Sequence, residues 1–224
     1  MENIQLPKSI SCELAEETGW HIGDGSMNYY RNQGKLKGLY SLRGHIKDDR
    51  LHYIQRIKPI FKQLYNINIP LHEMPKTGVF GFQIWNSELV KFKQTVGLPL
   101  GKKINIKIPS KFTENYETKI AVLRGIFDTD GCTYLENKNN KLYPRLHIGT
   151  ISEYLANDLL LNFKQLGFRT TCYYEPPNKN QRRKYGFYVV SIRGEAMFRK
   201  FMEVIRPKNS KHLVKYQFYA NLYK

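Results

Sequence analysis

Two segments far apart in the chain are built on one plan. Residues 13–26 (ELAEETGWHIGDGS) and 120–133 (IAVLRGIFDTDGCT) each read as a short helix running into Asp-Gly, with a glycine five residues before the aspartate. Asp24 and Asp130 therefore recur 106 residues apart, accompanied by Gly19 and Gly125. The elements after each motif also repeat. The first is followed by extended stretches at 26–32 and 39–46, a helical run at 48–65, extended stretches at 68–72 and 79–85, and a helix at 87–96. The second is followed by strands at 132–136 and 143–149, a helix at 153–166 closed by Gly167, strands at 169–175 and 185–192, and a helix at 195–205. Within 48–65, Leu51, Ile54, Ile57, Phe61 and Leu64 recur at helical spacing, and Pro59 predicts a kink. The stretch 98–116, with its Pro, Gly and Lys, reads as a linker between domains 1–97 and 117–224.

A chain of 224 residues suffices for two such units, and at 41% hydrophobic residues each can bury a core. Lys and Arg total 36 against 19 acidic residues, a formal net charge of +17 and a pI near 9.7. An excess of this size points to a polyanion, nucleic acid above all. Cys12, Cys132 and Cys172 are scattered and never in a CxxC pair, which argues against a disulfide framework and a zinc site. No apolar run approaches a membrane span. The start, MENIQLPKSI, lacks the apolar stretch of a secretory signal, so an intracellular or organellar protein without a membrane partner is expected.

The motif helices carry a charge in an unfavourable place. A carboxylate at a helix C-terminus faces the negative end of the macrodipole. Each also carries small residues at i, i+4: Gly19 with Gly23, and Gly125 with Thr129. Small residues on one stripe let two helices approach closely, which would bring Asp24 and Asp130 together. Like charges at one point need a cation, and hard oxygen donors suit magnesium.

The segments TGWHIGDG and LRGIFDTDG resemble the LAGLIDADG motif, the second more closely because Trp20 and His21 replace apolar letters in the first. The repeated element order resembles that of two-motif LAGLIDADG homing endonucleases over nearly the whole chain. The resemblance implies an α+β fold of two pseudo-symmetric αββαββα domains. Each would carry a curved antiparallel sheet, and the two would pack through the motif helices as a monomer straddling double-stranded DNA. It implies Mg2+-dependent, staggered cleavage of both strands at a long site, with Mn2+ or Ca2+ able to occupy the same position. Asp24 and Asp130 would be the catalytic metal ligands, completed by the carbonyls of Gly23 and Thr129. The alternatives are an RNA-binding intron maturase and a catalytically inactive DNA-binding protein on the same scaffold. Retention of both aspartates favours the nuclease.

Such a site needs positive helpers. Lys47, at the end of YSLRGHIK, is the first candidate, and its second-half counterpart falls near the uncharged Ile151, which predicts unequal cutting of the two strands. Basic residues after the last helix of each half, Lys102 or Lys103 and Lys215, are the others. Strand alternation turns Leu42, Ile46, Phe80, Phe82, Ile84, Leu146 and Ile148 inward. It leaves an outer face to read bases: Tyr30, Asn32, Ser41, Arg43, His45, Gln83 and Trp85 in the first half, Tyr134, Glu136, Arg145, His147, Thr171, Tyr173, Tyr185 and Ser191 in the second. Lys35, Lys37, Lys138, Lys141, Arg182 and Arg183, in turns, suit phosphates.

Overall fold

The structure, a computed structural model, describes residues 4–32, 34–177 and 185–223. Arg182 and Arg183 lie outside these residues.

The first half begins with helix α1 (Cys12–Asp24), capped by Ser11 Oγ, which accepts from Leu14 N at 3.1 Å. The helix passes without a loop into β1 (Gly25–Asn32), which pairs with β2 (Lys35–His45). Gly25 is extended (φ −80°) rather than left-handed, so glycine is required here for room and not for its dihedral freedom. A Cβ on Gly25 would lie 2.5 Å from both Cα and Nδ1 of His21. Next come a short turn of helix α2 (Arg50–His52), a π-helical segment (Tyr53–Ile57) and α3 (Lys58–Tyr65). Strands β3 (His72–Met74) and β4 (Val79–Trp85) and helix α4 (Ser87–Val96) complete the unit.

The second half repeats the order: α5 (Tyr116–Asp130), β5 (Gly131–Lys138), β6 (Lys141–Thr150), α6 (Glu153–Gln165), β7 (Thr170–Glu175), β8 (Phe187–Arg193) and α7 (Glu195–Val204). It adds a helix the sequence reading does not contain, α8 (Ser210–Leu222). Both sheets are antiparallel with the same topology, β1-β2-β4-β3 and β5-β6-β8-β7.

Each sheet buries the inward face that alternation predicts. Leu42, Phe80 and Phe82 are buried in one, Leu146 and Ile148 in the other, while Ile46 and Ile84 pack at the core margin. The run 50–65 departs from its expected stripe. Ile57 and Phe61 are buried as expected, but Leu51 and Ile54 are 51% and 42% exposed, and His52, Tyr53, Ile60 and Tyr65 are buried beside the first two. Pro59 offers no N–H and its ring crowds the carbonyl four residues back. The chain widens to π geometry just before it, which rotates the apolar face by part of a turn.

The stretch 98–116 does not hang free. Leu98, Ile106, Ile108 and Phe112 are buried, Gly101 N donates to Met27 O at 2.9 Å, and Ile108 N to Asp158 Oδ2 at 2.8 Å. It is tied to the first half at one end and to the second at the other.

Candidate active site between the motif helices

Helices α1 and α5 pack backbone to backbone. A Cβ on Gly19 would lie 2.4 Å from Val122 O and 2.8 Å from Gly125 Cα, and one on Gly125 would lie 2.1 Å from Glu16 O. Only glycine permits this approach. It brings both helix ends to one point: a Cβ on Gly23 would stand 3.3 Å from Asp130 Cγ. Further up the seam, Glu16 of α1 is buried and held by Arg56 Nη2 of the first half (2.8 Å) and Arg124 Nη2 of the second (2.7 Å). This bidentate pairing holds its carboxyl below the usual range despite burial.

Asp24 and Asp130 thus meet in a crowded place that still reaches solvent: Asp24 is partly exposed and Asp130 exposed. Burial, then the neighbouring Asp130 and Asp49 charges, pushes the Asp24 carboxyl up to about 8. Burial raises Asp130 too, against the opposing pull of Lys103 and Lys211. Two groups that resist ionising together form a place for a cation. The donors present are hard oxygens: two carboxylates and the terminal carbonyls of α1 and α5, a set that fits Mg2+ or Ca2+. Among the described residues no cluster of three or more His, Cys, Asp or Glu is arranged as a metal cage.

Two lysines serve these helix ends. Lys103 Nζ donates to Ile22 O at 2.8 Å, to His21 O at 3.4 Å and to Gly23 O. Lys211 Nζ donates to Thr129 O and to Asp49 Oδ1, both at 2.9 Å. Each ammonium thus sits on the carbonyl side of one motif helix, where the macrodipole favours positive charge. Lys103 is among the residues the sequence singles out; Lys211 is not. Lys215, one turn further along α8, donates instead to Thr133 O of β5 at 2.7 Å.

Asp49 is also absent from the sequence reading. It is buried, accepts from His45 N at 2.6 Å, and is bridged by Asn209 Nδ2 at 2.7 Å. The same Asn209 amide reaches Asp128 O at 2.9 Å, while Asp128 accepts from the backbone N–H groups of Lys208 and Asn209. One asparagine therefore joins the loop after β2 to the end of α5. Asp48-Asp49 looks like an ordinary acidic helix start, and nothing in the sequence marks Asn209.

The approaches to the acidic centre differ. Lys47 lies just beyond β2, exposed, and lines a cavity of about 500 Å3 with Asp48, Cys132, Lys211 and Lys215. A second cavity, of about 760 Å3, is lined by Ile104, Ile106, Ile151 and Phe187 together with Lys103 and Asp130.

The outer face of each sheet carries the residues that alternation assigns to it. Tyr30, Lys35, Lys37, His45, Gln83 and Trp85 are exposed, Arg43 partly so, and Asn32 ends β1. Ser41 is buried on this same side, its Oγ 2.8 Å from Ser26 Oγ. In the second half Lys138, Lys141, Thr171, Tyr173 and Tyr185 are exposed. Tyr134 stacks edge-on against His147 with centroids 5.1 Å apart, and Glu136 pairs with Arg145. Ser191 is buried beneath Arg193, whose Nε donates to it at 3.0 Å.

Residues 117–206 match the family model of a LAGLIDADG-like domain. No curated protein matches the sequence. Among solved structures, variants of the homing endonuclease I-DmoI align over 87% of this chain and 90% of theirs, at 18% identity and a TM-score of 0.59. The LAGLIDADG meganuclease I-AabMI, bound to uncleaved DNA, aligns over 95% and 90% at 12% identity and 0.54. The LAGLIDADG homing endonuclease I-GzeII, in complex with its DNA target, aligns over 92% and 88% at 10% identity and 0.54. At these identities the likeness is one of fold. The chain carries a LAGLIDADG-like domain in its second half and, across both halves, has the fold of the single-chain, two-motif LAGLIDADG homing endonucleases.

Proposed function

We propose that this chain is a monomeric, site-specific DNA endonuclease. It makes a staggered double-strand break at a long target, with 1–97 and 117–224 as its two DNA-reading domains and 98–116 as the linker. The observation that carries this reading is the meeting of two aspartates at the ends of glycine-packed helices, on a chain of net charge +17. I-DmoI has been determined in complex with DNA and Ca and with DNA and Mn, which supports the use of a divalent ion here.

Asp24 and Asp130, with the carbonyls of Gly23 and Thr129, would hold the ion. Bound there, Mg2+ supplies Lewis acidity and charge neutralisation at the scissile phosphates. The protein's part is to hold both carboxylates at one point and to set lysines around them. Lys103 and Lys211 offset charge at the two helix ends. Lys47, which shares a cavity with Lys211 and Lys215, would stabilise charge developing on one strand. Ile151 and its apolar neighbours line the other approach, so the two strands are cut at unequal rates. Lys215 anchors α8 to β5.

In a plasmid-library cleavage assay with Mg2+, Asp24→Asn and Asp130→Asn are each expected to reduce double-strand cleavage by about a hundredfold or more. Binding to the same DNA should stay within about threefold. Undiminished cleavage by both variants would refute the assignment. Lys47→Ala is expected to slow cleavage by about tenfold or more at unchanged affinity. An unchanged rate removes Lys47 from the site.

A further inference from the structure

We infer that the two halves read opposite chemistries at equivalent points of the target: thymine methyl groups under the first half, guanine under the second. The inference rests on the DNA-cleaving reading above.

Strand registers fix the equivalence. Gly25 faces Leu42 in the β1–β2 pair, and Gly131 faces Ile148 in the β5–β6 pair. Three residues back along β2 and β6 stand Leu39 and Arg145, each about 10 Å of strand from that reference point. Leu39 faces Trp85 in β4, and Arg145 faces Arg193 in β8. On the first strands, Tyr30 faces Lys37 while Glu136 faces Tyr143, so Tyr30 and Glu136 correspond. The Ser26–Ser41 hydroxyl contact sets the parity of the outer face, to which Tyr30, Leu39 and Trp85 belong.

The same three positions thus carry Tyr, Leu and Trp in one half and Glu, Arg and Arg in the other. The first set is an apolar patch in which Tyr30 and Trp85 are exposed and Leu39 is half-buried between the strands. Tyr30 and Trp85 meet edge-on with centroids 6.2 Å apart, and they are 48% and 49% exposed. Tyr30 and Leu39 line one shallow cavity of about 250 Å3. Lys35 and Lys37 stand beside it, so the patch is framed by charges that suit a phosphate backbone. The second set is polar: Glu136 accepts from Arg145 Nε at 2.7 Å, and Arg193 reaches Ser191 across the same face.

In the major groove thymine presents its C5-methyl group, and guanine presents the O6/N7 acceptor pair that a guanidinium matches. An apolar triad gains from burying methyls and has little to offer guanine. The guanidinium pair has the reverse preference.

The test is selection of bound duplexes from a randomised DNA library in Ca2+, followed by rebuilding the enriched sequence with deoxyuridine for thymidine. Wild type should enrich thymine on one side and guanine at the equivalent distance on the other. Deoxyuridine, which lacks only the methyl, should weaken wild-type binding about fourfold per contacted base and leave Trp85→Ala nearly unaffected. Arg193→Ala should lose guanine preference about tenfold, and Leu39→Arg with Trp85→Arg should convert the thymine side to guanine. These side chains lie on the outer face, and the deoxyuridine arm leaves the protein untouched, so misfolding cannot account for that result. Enrichment of one base on both sides, or indifference to the methyl, overturns this inference alone. No enrichment of any sequence overturns it together with the DNA-reading function.

Discussion

Each motif helix ends on carbonyls held by an ammonium group, and the two lysines reach those places differently. Lys103 comes from the stretch joining the halves and Lys211 from the first turn of α8. Asn209 and Asp49 keep the second arrangement in place, since Asp49 binds both the asparagine amide and Lys211 Nζ. Asn209→Ala leaves buried partners unsatisfied and is expected to cost about 2 kcal/mol, read as a lowered urea midpoint. The aspartates were legible as residues because Asp-Gly recurs with a glycine at fixed spacing. Lys211 and Asp49 were not, because a lysine among so many has no local signature and an acid before a helix is ordinary. His52 was equally silent. It is buried edge-on to Trp20, with no hydrogen-bond partner for either ring nitrogen among the described residues, and burial lowers it to about 4. A lowered histidine contributes stability that is complete above its unfolded value near 6.5 and is lost as pH falls towards 4. His52→Leu should therefore gain on wild type by about 2 kcal/mol between pH 7 and pH 5, measured by chemical denaturation at both. A constant difference would refute the burial of a neutral ring.

At the level of elements, the glycine contact of α1 with α5 leaves no slack. Gly19→Ala forces a methyl into Val122 O and the Gly125 backbone, where no flexible side chain can yield. The expected loss exceeds about 3 kcal/mol, visible as loss of a cooperative melt or a strongly lowered midpoint. Strands and most helices were readable because period-two and helical spacing survive wherever one face is buried. The failures have physical causes. The π-helical turn ahead of Pro59 shifts the buried face off Leu51 and Ile54. Helix α8 escaped because its buried side chains are only His212 and Tyr219, while Val214, Phe218 and Leu222 lie open, so no core-facing stripe announces it. A glycine after a helix commonly ends it in the left-handed conformation, but the motif glycines after Asp24 and Asp130 do not. They are extended, and they launch β1 and β5 directly from the helices, which is what fixes the carboxylates at the seam.

For the molecule as a whole, the charge excess predicts DNA affinity that falls steeply with salt, the logarithm dropping in proportion to phosphates engaged. A flat titration between low and moderate salt would contradict a DNA-binding role. Glu16 ties the halves together through Arg56 and Arg124, and Glu16→Gln is expected to cost about 3 kcal/mol, measured by thermal or urea unfolding. No described helix is long and apolar enough to cross a membrane. The bridge made by Asn209 has a consequence for the order of assembly. The LAGLIDADG-like match ends at residue 206, before Asn209 and Lys211. A chain stopped at Arg206 keeps the residues of both sheets but lacks the segment that clasps the loop after β2 to the end of α5. Such a truncation is expected to bind DNA far better than it cuts, as gel shift and nicking assays on one duplex would reveal. During synthesis, the clasp at the seam therefore forms only after the strands of both sheets have been made.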